Sequence, residues 1–265
     1  MRYQLLCGVL AAAAMAGAGA QVPPDALVLK HPWVVAPPSP KPEAYFLGLK
    51  DGAKIETPYV LRFGLSLRGL APAEVKSGKA VGHHHLLIDY PIPTDMSRAL
   101  PFTDQYLHFG KGEMQTILKL KPGVYQLALL LADEDHVPYP VYSKPIRVTV
   151  TKHDPGVNIW KLWGEPQIGI LQPADGERVQ GPFRVNFHAN GYNVAAAASK
   201  SMDGWFRLTV EPRGKPPEVL DFKLGQTEVW LNPPKGDYTL RLDMVSNRDV
   251  GKLAASARPV HVVVP

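Results

Sequence analysis

Five of the nine histidines fall in one stretch of the chain: His83, His84, His85, His108 and His136. Three of them are consecutive, in Gly82-His83-His84-His85-Leu86-Leu87-Ile88-Asp89, a segment with strand character. Side chains alternate along a strand, so His83, His85, Leu87 and Asp89 share one face, and His84, Leu86 and Ile88 share the other. Imidazoles at i and i+2 have backbones roughly 6.5 to 7 Å apart. Both can then reach one metal ion at about 2.0 to 2.1 Å from each nitrogen. A site needs further ligands, and His108 and His136 are the candidates. The carboxylates Asp89, Asp133 and Asp135 are alternative ligands, or groups that orient an imidazole from behind. The only cysteine is Cys7, so thiolate zinc sites and cysteine nucleophiles are excluded. Imidazole and carboxylate donors favour Zn²⁺ or Cu²⁺. A second reading makes the histidines a structural hydrogen-bond network, with His84 on the core face bonded to a carbonyl and His83 and His85 outside. A third, hydrolytic reading needs an open metal position and a positioned base.

The elements that must hold these rings occur twice. Asp51-Gly52-Ala53-Lys54-Ile55-Glu56-Thr57-Pro58-Tyr59 matches Asp175-Gly176-Glu177-Arg178-Val179-Gln180-Gly181-Pro182-Phe183 at an offset of 124 residues. Later, Leu107, Phe109, Gly112, Gly123, Tyr125 and Leu127 match Leu220, Phe222, Gly225, Gly236, Tyr238 and Leu240 at an offset of 113. Turn and apolar residues recur together, the mark of a duplication. In the second copy Trp205, Phe206 and Arg207 replace the histidine triplet, and Asp221 and Asp249 replace His108 and His136. The β framework therefore does not itself demand these histidines. The offset is 122 at the histidine strand, Gly82 matching Gly204, and 113 from Leu107 on, which leaves about nine extra residues in the first copy between Asp89 and Leu107.

Each copy reads as an all-β unit. Short alternating runs such as Val60–Leu65, Tyr125–Leu129 and Arg147–Val150 lie between Gly/Pro turns. The chain has 27 prolines and 23 glycines, which oppose long helices. Lys121-Pro122-Gly123 and Pro234-Lys235-Gly236 have hairpin-turn chemistry. The expected architecture is two tandem immunoglobulin- or fibronectin-like β-sandwich domains, at 45–151 and 166–265, joined by a linker at 152–165. Trp160 and Trp163 in that linker are expected to pack a domain junction. Residues 1–20 read as a signal peptide, with Arg2, an apolar run from Leu5 and Ala18-Gly19-Ala20 before the cut. Residues 21–44 hold seven prolines and read as an extended leader. After the signal no run is apolar and long enough for a transmembrane anchor. Export, periplasmic or secreted, follows as the expectation. A net charge of +5 without a dense basic block gives no footprint for nucleic acid. Phosphate loops, dinucleotide fingerprints and hydrolase elbows are absent, so no nucleotide or organic cofactor is expected.

Three motifs in order, Gly82 to Asp89, His108-Phe109-Gly110-Lys111-Gly112, and Leu129 to Pro138, resemble those of a bacterial exported family, domain of unknown function 4399. The resemblance covers about residues 45–151. The chain departs from it by Glu113-Met114 before Gln115-Thr116. It implies an exported bacterial protein, periplasmic in a Gram-negative cell, and no defined chemistry. Residues and resemblance together point to a non-enzymatic envelope binding module with a metal site on His83, His85, His108 and His136. Its partner is unknown, an envelope protein or a glycan being the classes considered.

Overall fold

The computed structural model describes residues 29–74, 81–197, 199, 203–249 and 251–265. The segment expected to be a signal peptide, 1–20, and the first part of the expected leader lie outside the described residues. The first half contributes β1 (Glu43–Leu47), β2 (Lys54–Thr57), β3 (Tyr59–Ser66), β4 (Gly69–Leu70), β5 (Val81–Ile88), β6 (Tyr106–Phe109), β7 (Gln115–Leu118), β8 (Gly123–Ala132), β9 (Pro138–Tyr142) and β10 (Ile146–His153). One short helix, α1 (Ile159–Trp163), follows. The second half contributes β11 (Gln167–Gln172), β12 (Glu177–Arg178), β13 (Phe183–Asn190), β14 (Gly204–Pro212), β15 (Glu218–Asp221), β16 (Glu228–Leu231), β17 (Gly236–Ser246), β18 (Leu253–Ser256) and β19 (Val260–Val264).

Both halves are sandwiches with the same strand plan. The first pairs a three-stranded sheet, β1-β3-β7, with a larger one, β2-β10-β8-β5-β4, to which β6 and β9 add at β5 and β8. The second pairs β11-β13-β16 with β12-β19-β17-β14-β15, with β18 on β17. In each, a short strand runs parallel to the last one, β2 on β10 and β12 on β19. This is the immunoglobulin-like order expected from the duplication.

The two Pro/Gly turns are not hairpins. Each carries the chain from the small sheet to the large one, from β7 to β8 and from β16 to β17. Tyr125 Oη donates to Lys121 O at 2.9 Å, and Tyr238 Oη donates to Pro234 O at 2.6 Å. A tyrosine hydroxyl bonded back across the corner holds such an arch and explains why Gly-x-Tyr recurs in both copies.

The halves pack on each other with local two-fold symmetry, and one core cluster runs through both. Val194 N donates to Gly112 O at 3.0 Å, and Leu70 N donates to Gly225 O at 2.9 Å. Gly112 and Gly225 are repeat equivalents, as are Leu70 and Val194, so these are one contact made twice. A Cβ on Gly112 would lie 2.0 Å from Val194 O, so only glycine permits the approach. Likewise Gln115 Nε2 donates to Asn190 Oδ1 at 2.7 Å where Ser66 Oγ donates to Glu228 Oε1 at 2.9 Å.

The described part of the leader lies on the second half. Val34 bridges Leu231, Val35 N donates to Trp230 O at 3.0 Å, and Asn232 N donates to Trp33 O at 2.8 Å. Val34 and Val35 interrupt the prolines and supply the amides that a proline run lacks. Trp160 does not pack the junction. It is 81% exposed, because α1 buries none of its residues. The junction is closed instead by Asn190 Nδ2, which donates to Trp163 O and Glu165 O.

Candidate metal centre

Strand β5 runs through the middle of the large sheet, between β8 on one side and β4 and β6 on the other, and is buried along its whole length. His84, Leu86 and Ile88 point into the sandwich core, where Leu86 and Ile88 join the main cluster. His83, His85 and Leu87 point to the outer face. On that face β6 sets His108 opposite His85, and β8 sets Ala132 opposite His83. The small Ala132 leaves room for the rings. His136 arrives from the turn after β8. Asp133 Oδ1 accepts the amides of Asp135 and Val137 at 3.0 and 2.8 Å, and Asp133 O accepts the amide of His136 at 3.0 Å. The turn places His136 at φ 64, a left-handed conformation uncommon outside glycine and asparagine.

These four rings converge. Each offers a nitrogen, and the four nitrogens lie within 4.8 Å of one another. Ring centroids are 4.8 Å apart for His83–His85, 4.7 Å for His83–His108 and 4.7 Å for His108–His136. Tetrahedral nitrogens at about 2.05 Å from a zinc ion sit roughly 3.4 Å apart, so side-chain rotations of about an ångström would close the set. His83 and His85 are 0% and 1% exposed. The second reading, which leaves His83 and His85 outside, is corrected here: the outer face of the sheet is covered at these rings. The residues inserted between Asp89 and Leu107 fold back over it. Leu100, with Ile92 and Met96, packs on Leu87, Ala128 and Leu130 in a small second core. Phe102 lies at 5.5 Å from the His108 ring and 4.8 Å from the His136 ring.

Burial sets the protonation state. His83 is pulled down to about 2, by desolvation first and then by the neighbouring imidazoles of His85, His108 and His136. His85 falls to about 3 for the same reasons, and His108 is lowered by burial and by His136. Neutral imidazole is the form that binds a metal. Both ring nitrogens of His83, Nδ1 of His85, and Nε2 of His108 and His136 are buried with no hydrogen-bond partner among the described residues.

The remaining sequence candidates lie elsewhere. Asp89 Oδ1 accepts the Gln126 amide at 2.7 Å, at the exposed end of β5. Asp133 is spent on the turn that aims His136, and Asp135 is exposed. None of the three joins the histidine group. His84 is fully buried, edge-on to Phe63 at 4.9 Å, and lowered to about 3 by desolvation. It has no hydrogen-bond partner among the described residues, so the expected bond to a carbonyl is not seen there. Glu113 Oε2 accepts the Lys111 amide at 2.8 Å, and Met114 buries in the core. The two residues by which this turn departs from the family motif thus leave His108 in its strand.

Sequence reasoning missed two residues that shape the site. Phe102 lies within the nine-residue excess, which was its only signal. Gly110 packs so closely that a Cβ there would lie 2.3 Å from His108 Cε1. It belongs to the His-Phe-Gly-x-Gly motif, and here the glycine leaves space for the ring.

Fold and centre together define a tandem β-sandwich protein with a roofed four-imidazole cluster in its first half. The chain belongs to the family described as domain of unknown function (DUF4399), whose model matches residues 61–151 and 185–265. The second match extends the resemblance to the copy without the histidines. No curated protein matches the chain. Among solved structures it is similar to the Clostridium thermocellum CbhA fibronectin(III)-like modules, at 13% identity over 83% of this chain and 93% of that one, TM-score 0.26. It is also similar to a two-domain fibronectin type-III segment of chicken tenascin, at 12% identity over 83% and 96%, TM-score 0.19. Dimeric latent PorU from Porphyromonas gingivalis matches at 11% identity over 84% of this chain and 20% of that one, TM-score 0.30.

Proposed function

We propose that this chain is an exported, non-enzymatic binding module of the bacterial cell envelope. Its first half holds one divalent transition ion, Zn²⁺ or Cu²⁺, on His83, His85, His108 and His136. The observation that carries the reading is the set of buried, unpartnered ring nitrogens facing one another. A structural hydrogen-bond network would satisfy those nitrogens, since buried polar groups without partners cost roughly 1–3 kcal/mol each. A bound ion would satisfy one nitrogen on each ring. The hydrolytic reading has less support, because no carboxylate among the described residues joins the group to act as base. Export rests on residues 1–20 of the sequence. No helix among the described residues is long and apolar enough to cross a membrane. The working domain division is 45–151 and 166–265, with 152–165 between.

Titrating metal-free protein with Zn²⁺ and with Cu²⁺ tests the proposal. One equivalent should bind, and a His83→Ala/His85→Ala double variant should bind none. Absence of binding by the folded wild-type protein would leave the structural reading, while binding unchanged by the double variant would move the site elsewhere.

A further inference from the structure

The second half carries the same outer-face position without histidines, and among the described residues no loop roofs it. Strand β14 sets Trp205 and Arg207 where β5 sets His83 and His85. Arg207 stands opposite Asp221 across β14 and β15 just as His85 stands opposite His108. The connection between the two strands is only residues 213–217, against 89–105 in the first half. An open cleft of about 330 Å³ remains, lined by Trp205, Arg207, Asp221, Lys223 and Asn247 among others.

The polar groups in this cleft are unequally used. Arg207 Nε and Nη2 donate to Asp221 Oδ1 and Oδ2 at 2.6 and 3.0 Å, a two-pronged pair that fixes the guanidinium plane. That pairing occupies the carboxylate that lines the cleft, and a second one, Asp243 opposite Arg207 on β17, accepts the Ser256 hydroxyl. Nη1 of Arg207 makes no hydrogen bond among the described residues. Lys223 Nζ stands 3.9 Å from Asp221 Oδ2, too far for a hydrogen bond, with its side chain 61% exposed. Both cations lie over the Trp205 indole, Arg207 Cζ at 5.5 Å and Lys223 Nζ at 5.6 Å from the ring. Asn247, 8% exposed, gives its amide hydrogens to Ala196 O at 3.2 Å and Ala195 O at 3.5 Å, and its buried Oδ1 has no hydrogen-bond partner among the described residues.

We propose that this cleft binds a small oxyanion-bearing ligand, a carboxylate or phosphate on a polar body. The anion sits between Arg207 Nη1 and Lys223 Nζ, and a hydroxyl of the body donates to Asn247 Oδ1. The indole holds the two cations together before the ligand arrives, which lowers the ordering cost of binding. The site is distinct from the histidine cluster in the other half.

Nuclear magnetic resonance titration of the full chain at low ionic strength, with chelator present, tests the proposal using glucuronate, glucose 6-phosphate and glucose. Either or both anionic sugars should shift the resonances of Trp205 and Asn247, and which of them does so identifies the anion. Glucose should not. Lys223→Ala, at an exposed position, should weaken binding about tenfold or more while leaving the fold intact. The proposal is overturned by no binding of either anion up to roughly 10 mM, by equal binding of glucose, or by binding that Lys223→Ala does not change. Chelator removes the metal centre from the measurement, so failure here leaves that reading untouched.

Discussion

The backbone carbonyl of His136 accepts the amide of Leu100 at 2.9 Å. This bond ties the turn that supplies one imidazole to the loop whose Phe102 lies on His108 and His136. Leu100 is buried beneath that loop, while Phe102, two residues on, covers His108 and His136 yet is 70% exposed. The roof is therefore anchored by one residue and closed by another.

Phe102→Ala should open the roof without unfolding the protein. An exposed side chain contributes little to stability, so the change in unfolding free energy should stay within about 0.5 kcal/mol. Stopped-flow chelator competition should show faster release of bound Zn²⁺ from the variant. Equal release rates would mean that the ion passes by another route.

Gly110→Ala probes how His108 is aimed. The added Cβ would collide with the His108 ring, which must then rotate away from the other three. Altering a residue that only orients a ligand costs metal affinity roughly 10- to 100-fold, and a loss in that range is expected. The circular dichroism of the metal-free variant should match wild type, separating mis-aiming from misfolding.

Much of this was legible in the sequence because it follows from period and repetition. Alternation along β5 assigned the faces of His83, His84 and His85, and the second copy placed His84 with Phe206 in the core. His108 and His136 were identified as the other rings of the cluster. What the sequence hid was the third dimension of the insertion. Nothing local in residues 89–105 reveals that Leu100 finds an apolar patch made by Leu87, Ala128 and Leu130, on the face that ordinarily meets solvent. The same gap hid the packing of the halves. Gly112 and Gly225 read as turn glycines, and only a partner backbone at close range shows why neither can be larger. The leader reads as extended because its prolines dominate, whereas two valines dock its described part.

Gly112→Ala and Gly225→Ala should act alike, since the two contacts are related by symmetry. Each would drive a Cβ to about 2 Å from a carbonyl oxygen at positive φ, which backbone shifts must relieve. A loss of about 2 kcal/mol or more in each is expected by urea denaturation. A large effect in one and none in the other would break the symmetry argument.

His84→Phe tests the cost of an imidazole with two unpartnered nitrogens in an apolar core. Its ionisation is depressed to about 3, against an ordinary 6.5 in the unfolded chain. Between those values the unfolded chain binds the proton and the folded chain does not. The sign follows: the full stability is present above pH 6.5 and is lost as pH falls toward 3. The slope is up to about 1.4 kcal/mol per pH unit for this group. His188, lowered to about 4 by burial and then by Arg62, adds in the same direction. Urea unfolding of metal-free protein at pH 7 and pH 5 should therefore show wild type losing stability, and His84→Phe losing less by one such group. The variant should also be the more stable at pH 5, because phenylalanine occupies the equivalent position in the second half as Phe206 and carries no polar atom to bury. It should still bind one equivalent of metal, because His84 faces away from the cluster. An identical pH dependence in the two proteins would mean that His84 is hydrated or hydrogen-bonded in solution.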